Sequence, residues 1–150
     1  MKNKDVLEEK NSSIYARLLL GRARHLMLKA RQKELMPYSI SPRQANVLFI
    51  IHNLGHKATL SELAEHTDRG NNTLSAQMTR MVRDGIVRRV RETPKSNMVS
   101  FELTDKGNEI YDYVKKMKTI KEIMSVLTEE ERQGLITALQ KIITKAEKYQ

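Results

Sequence analysis

Apolar residues recur along this chain with two spacings, and the changes of spacing mark its elements. Between about Ser12 and Glu34 they come at helical intervals, at Ile14, Leu18, Leu19, Leu20, Ala23, Leu26, Met27, Leu28 and Ala30. These positions cover more than one side of the helix, and a helix apolar on several sides is buried on several sides. In a chain of 150 residues that points to a partner subunit. Pro37 closes the segment. Ser41-Pro42-Arg43-Gln44 then offers a serine N-cap, a proline at the first helical position and a glutamine three residues after the cap. The helix it opens is expected to reach about Asn53 through Ala45, Val47, Leu48, Phe49, Ile50 and Ile51, with Gly55 beyond its end.

From Thr59 to Leu103 the pattern is the most informative in the chain. Thr59 and Glu62 have capping-box spacing, and Leu60, Leu63 and Ala64 give the short helix that follows one apolar face. The run from Thr67 through Asp68, Arg69 and Gly70 to Asn71 is rich in turn residues. A second helix follows, with Leu74, Met78 and Met81 facing inward at i, i+4 and i+7, and Gly85 at its C′ position. Asn71, Asn72, Thr73, Ser75, Ala76 and Thr79 are left facing out. Short amide and hydroxyl side chains crowded at an exposed helix start suit the reading of base edges in the major groove. Capping and ordinary solvated surface are the bland explanation for the same residues. Val87–Arg91 and Met98–Leu103 then read as strands, since Val99, Phe101 and Leu103 alternate with Ser100 and Glu102. Residues 92–97 form the hairpin tip.

The rest is helical. Thr104 is expected to cap one long helix reaching about Met124, with Ile110, Val114 and Met117 on one stripe. Thr128 and Glu131 form another capping box, opening a last helix whose face carries Leu135, Leu139, Ile142, Ala146 and Tyr149. Residues 1–11 are a charged tail expected to fray.

Composition narrows the partners. Lys and Arg number 27 against 18 Asp and Glu, a formal charge of +9. Residues 69–97 hold seven basic against two acidic residues, whereas 104–150 hold nine against eight. A basic segment coincident with the helix-turn-helix and hairpin fits a nucleic-acid partner, with Arg80, Arg91 and Lys95 as the favoured phosphate contacts. Arg88 and Arg89 point to opposite faces of their strand and cannot both meet DNA in the same way. The chain has no cysteine, so it has no disulfide, thiolate metal site or cysteine redox switch. Its four histidines have no carboxylate or second histidine beside them at metal-ligand spacing, so no metal is expected. Neither a glycine-rich phosphate loop nor a catalytic triad is evident, so no enzyme activity and no cofactor are expected. Without an apolar run of spanning length or a signal-peptide core, the expectation is a cytoplasmic protein with no membrane partner.

Several segments, in this order and spacing, resemble the MarR family of bacterial winged helix-turn-helix regulators over roughly residues 12–148. They are Ser41-Pro42-Arg43-Gln44, Leu60-Ser61-Glu62-Leu63-Ala64-Glu65, the run from Met78 to Val87, and Leu103-Thr104-Asp105-Lys106-Gly107. The resemblance implies a mainly α protein with a small β-wing. Its helix-turn-helix would occupy residues 59–84 and its wing 86–103, with dimerisation helices at 12–36 and 104–148. It implies a homodimer held by residues such as Ile14, Leu18, Leu135, Leu139 and Ile142, binding a pseudo-palindromic duplex operator. The implied DNA contacts are Asn71, Asn72, Thr73, Ser75, Ala76, Thr79, Arg80, Arg89, Arg91, Lys95 and Asn97. Where many members carry an Asp-x-Arg wing tip, this chain has Lys95 and Asn97, and Ala76 stands where many place a base-reading cation. Many members are repressors released by a small, often anionic aromatic effector, for which Arg17, His25, Tyr38, Phe49 and His52 are the candidate lining. A DNA-binding regulator without an effector, or a basic protein-interaction or membrane-surface module, are the alternative readings.

Overall fold

The computed structural model describes residues 12–67 and 71–150, with Asn71 and Asn72 as backbone only. The charged tail at 1–11 and residues 68–70 of the expected turn lie outside the described residues. The elements are α1 (Ser12–Leu35), a 3-10 turn (Met36–Tyr38), α2 (Pro42–Asn53), β1 (Ala58–Thr59), α3 (Leu60–His66) and α4 (Asn71–Arg83). They continue with β2 (Val87–Arg91), β3 (Val99–Leu103), α5 (Asp105–Val114), α6 (Lys118–Met124), α7 (Glu129–Ala146) and a final 3-10 turn (Glu147–Tyr149). The protein is mainly helical with one small antiparallel sheet, as the sequence pattern implies. The chain divides into two compact units, one of residues 31–116 and one combining the two chain ends, up to Ala30 and from Met117 onward.

The 31–116 unit has a closed apolar core. Leu48 and Ile51 from α2, Leu63 from α3, Leu74, Met78 and Met81 from α4, and Val114 from α5 are all fully buried. The α2 start is a complete capping box: the Ser41 hydroxyl accepts from the Gln44 amide, and the Gln44 side chain accepts from the Ser41 N–H. At α3 only half a box forms. Glu62 N–H donates to the Thr59 hydroxyl, but no return bond is made, and Thr59 belongs instead to a strand pair. That strand, β1, is a two-residue element with no sequence signature of its own, and only its partner β3 defines it.

The sheet order is β1-β3-β2, so β3 is central. Across the wing, Val87 pairs with Leu103, Arg89 with Phe101 and Arg91 with Val99. The expected alternation along β3 fails at Ser100, which is buried at 6% exposure. Thr59 and Val90 flank it on both sides, and a small side chain between two strand neighbours loses its access to water.

The link between α4, the wing and α5 is a dense hydrogen-bond knot. Ile86 N–H donates to the Met81 carbonyl and Gly85 N–H to that of Val82, while Gly85 takes φ +73°, which together make a Schellman cap. Thr104, the N-cap of α5, donates its hydroxyl proton to the Gly85 carbonyl at 2.5 Å and accepts from Gly107 N–H at 3.1 Å. Its backbone N–H reaches the Ile86 carbonyl at 3.1 Å. Lys106 Nζ donates to the Asp84 carbonyl. Gly107 is what lets α5 come this close, because a Cβ there would sit 2.1 Å from the Ile86 carbonyl oxygen.

The single helix expected from Thr104 to Met124 is in fact two. α5 ends at Val114, Met117 takes a left-handed φ of +48°, and α6 begins at Lys118. The cause lies in Arg31, only 5% exposed, whose guanidinium donates to the Val114 carbonyl at 2.8 Å and pairs with Glu34 at 2.6 Å. A carbonyl satisfied from outside the helix no longer requires the N–H of Lys118, four residues on. The Tyr113 hydroxyl donates to the Glu34 carbonyl, and its ring packs on Tyr38 at 4.3 Å.

In the unit formed by the chain ends, α7 opens on the complete Thr128–Glu131 capping box. Ile14, Leu18, Leu135 and Ile142 are all more than a third exposed, and Leu139 is half-buried. These helices thus carry an apolar surface that their own unit does not bury.

Gly107→Ala should cost about 1–3 kcal/mol, since the added methyl meets a backbone oxygen that cannot move alone; urea denaturation followed by circular dichroism reads this directly. Arg31→Ala should cost about 1–3 kcal/mol by removing the buried donor to the Glu34 carboxylate and the Val114 carbonyl. The pair Arg31→Met with Glu34→Gln should lose much less in the same measurement.

Candidate nucleic-acid interface

α4 is built so that one side fastens to the core and the other is free. Leu74, Met78 and Met81 are inaccessible, while Thr73, Ser75, Ala76, Thr79 and Arg80 are exposed. The exposed face is therefore made of small hydroxyl and methyl groups, with a cation one turn from its end. The side chains of Asn71 and Asn72 lie outside the described residues, so their expected base contacts remain expectations.

The wing is physically tied to this helix. Arg89 Nη2 donates to the Thr79 hydroxyl at 3.3 Å, and its guanidinium stands 6.0 Å from the centre of the Phe101 ring. Thr79 in turn donates to the Ser75 carbonyl at 3.0 Å. Thr79 and Arg89, both expected to meet DNA, are thus engaged with each other here. Arg91 follows Arg89 on the same strand face and is exposed. Arg88 lies on the other face and forms an ion pair with Glu102 at 2.5 Å, which realises the expected split between the two arginines. Lys95 and Asn97 stand exposed at the hairpin tip, where Ser96 N–H closes a turn onto the Thr93 carbonyl.

Beside α4 is a cleft of about 380 Å³ lined by Ser41, Arg43, Gln44, Thr73, Gln77 and Arg80. From sequence, residues 41–44 read only as a helix start. A signal was present nevertheless: a cation in the first turn of a helix opposes the macrodipole, and Arg43 stands there without an acid beside it.

The candidate effector residues are divided between the two units. Arg17 and His25 are exposed on the part of α1 that belongs to the chain-end unit. Phe49 and His52 meet on Tyr111, Phe49 edge-on at 5.5 Å and His52 stacked at 4.2 Å, with His56 against His52 at 4.7 Å. Tyr38 packs on Tyr113 instead. Among the described residues no group of three or more His, Asp or Glu could hold a metal ion, and no helix is long and apolar enough to cross a membrane.

Residues 40–93 match the MarR family model. No curated protein matches the chain by sequence. Among solved structures, the organohalide-sensing transcriptional regulator RdhR-CbdbA1625, in its 2,4-dichlorophenol-bound form, superposes with a TM-score of 0.82 at 22% identity, covering 93% of this chain and 83% of its own. A mutant MarR from E. coli complexed with operator DNA gives 0.77 at 23% identity, with 88% and 96% covered. A MarR-like transcription regulator from Bacillus cereus gives 0.72 at 28% identity, with 89% and 99% covered. The helix-turn-helix and the basic wing tied to it give this chain the fold of the solved MarR-family winged-helix regulators, and its residues 40–93 match the MarR family model.

Proposed function

We propose that the protein is a homodimeric, sequence-specific duplex-DNA-binding repressor, released from its operator by a small anionic aromatic effector. The observation that carries the DNA reading is the face of α4: Thr73, Ser75 and Ala76 project from a helix clamped by Leu74, Met78 and Met81, beside the basic wing. Hydroxyls bond base edges of either kind, and threonine and alanine methyls pack on the thymine methyl. Arg80, Arg91 and Lys95 take flanking phosphates, which position the helix without reading sequence. The complex of E. coli MarR with operator DNA supports this use of the fold.

The dimer is supported by the uncovered apolar residues of the chain-end helices, Ile14, Leu18, Leu135 and Ile142. Two recognition helices would then sit about one helical turn apart, roughly 34–36 Å. The effector is supported by the 2,4-dichlorophenol complex of RdhR-CbdbA1625. Such a ligand acts only through its different affinities for the DNA-bound and free states.

Asn72→Ala and Thr73→Ala should lower the ratio of operator to random-duplex affinity, by about 1–3 kcal/mol for a lost bidentate base contact. Lys95→Ala should weaken both duplexes about equally. Gel shift on the promoter beside the protein's own gene, against random DNA at physiological salt, reads both. Equal affinity for the two duplexes with the unaltered protein sinks specific regulation. Leu135→Glu with Leu139→Glu should halve the mass measured by light scattering and remove operator binding; an unchanged mass counts against a dimer built on these helices. In a thermal-shift panel of aromatic acids and phenols, the effector is the compound that both stabilises the protein and releases operator DNA.

A further inference from the structure

The cleft between the start of α2 and the exposed side of α4 is not accounted for by base reading or by the wing. Of its six lining residues two are arginines and none is acidic. Neither Arg43 nor Arg80 has an ion-pair partner among the described residues, and both are exposed. Gln77 lines the same cleft, and its buried side-chain nitrogen has no acceptor among the described residues. The Thr73 hydroxyl is a further donor there. Pro42 has no N–H and Gln44 N–H is spent on the Ser41 hydroxyl, so the amide of Arg43 is the donor left over in the first turn of α2. Two arginines thus line a concave space with amide and hydroxyl donors and no carboxylate. Arg43, in the first turn of α2, also opposes the helix macrodipole. An anion removes that penalty.

We propose that this cleft seats one phosphate of the DNA backbone, gripped between Arg43 of α2 and Arg80 of α4, with the Gln77 amide as a neutral donor. The assignment rests on the reading of α4 as the recognition helix. It adds a contact from outside the helix-turn-helix: the grip on Arg43 fixes how far α4 can roll in the groove, because α2 and α4 are held in one core. A phosphodiester suits the site because its two free oxygens match the fork of a guanidinium. Free phosphate shares that chemistry, so the test must separate the two sources.

The measurement is affinity for a random-sequence duplex between about 50 and 200 mM salt, where each neutralised phosphate contributes about 0.9 to the slope of log K against log salt. Arg43→Ala should flatten the slope by about 0.9 per subunit bound. Arg43→Lys should keep the slope while weakening binding, since it keeps the charge but not the fork. Lys141→Ala, on the chain-end unit, serves as the control for loss of charge alone and should leave the slope unchanged. An unchanged slope in Arg43→Ala overturns the seat while leaving DNA binding intact. So does an equal flattening by Lys141→Ala. If inorganic phosphate raises the melting temperature of the unaltered protein, but not of Arg43→Ala, and the duplex slope is the same in both, the cleft is a small-anion site and the DNA assignment falls. Failure of the unaltered protein to bind duplex even at low salt overturns the regulatory reading itself.

Discussion

A single hydroxyl organises the unit of residues 31–116. Thr104 caps α5 through Gly107, binds the carbonyl of Gly85 and, through its backbone, holds Ile86. Three elements meet at that point: the end of α4, the first wing strand and α5 behind them. Gly107 makes the meeting possible by having no Cβ where the Ile86 oxygen lies. Each bond in the knot is worth only about 1 kcal/mol net. Its effect is geometric, since the direction in which the wing leaves α4 is set by the carbonyls of Gly85 and Ile86, both bonded to Thr104.

The charge distribution then divides the labour. The exposed face of α4 is neutral through Thr73, Ser75 and Ala76, and the cations stand on either side, Arg43 and Arg80 at the cleft, Arg91 and Lys95 toward the wing. A neutral surface made of short side chains discriminates by fit and donates little to nonspecific attraction. Flanking cations do the reverse. In the proposed reading, affinity and specificity are thus held by different residues, which lets one change with little cost to the other.

Most of this architecture is legible in the sequence because it is written in local signals. The Ser41 and Thr128 boxes, the Schellman glycine at 85 and the i, i+4, i+7 stripe of α4 each need only neighbours within one or two turns. What is not legible depends on distant partners. The break after α5 comes from Arg31, 83 residues before Val114. β1 exists only by pairing with β3, and Ser100 is buried by the same pairing. The engagement of Thr79 by Arg89 hides in a pair ten residues apart that no helix or strand period links. Arg43 is the instructive case. Its unfavourable place at a helix start was visible, but its closeness to Arg80 and Gln77 is a tertiary fact.

The tether from Arg89 to Thr79 bears on how such a regulator diverges. In the proposed function Thr79 belongs to the face that meets DNA, yet it also receives the guanidinium that braces the wing against Phe101. A substitution there alters the chemistry offered to a base and, at once, releases the brace. Retargeting this protein to a new sequence by exchanging α4 residues one at a time would therefore meet a coupled pair, in which helix position 79 and strand position 89 must change together, whereas position 76, bearing only a methyl, can be varied by itself.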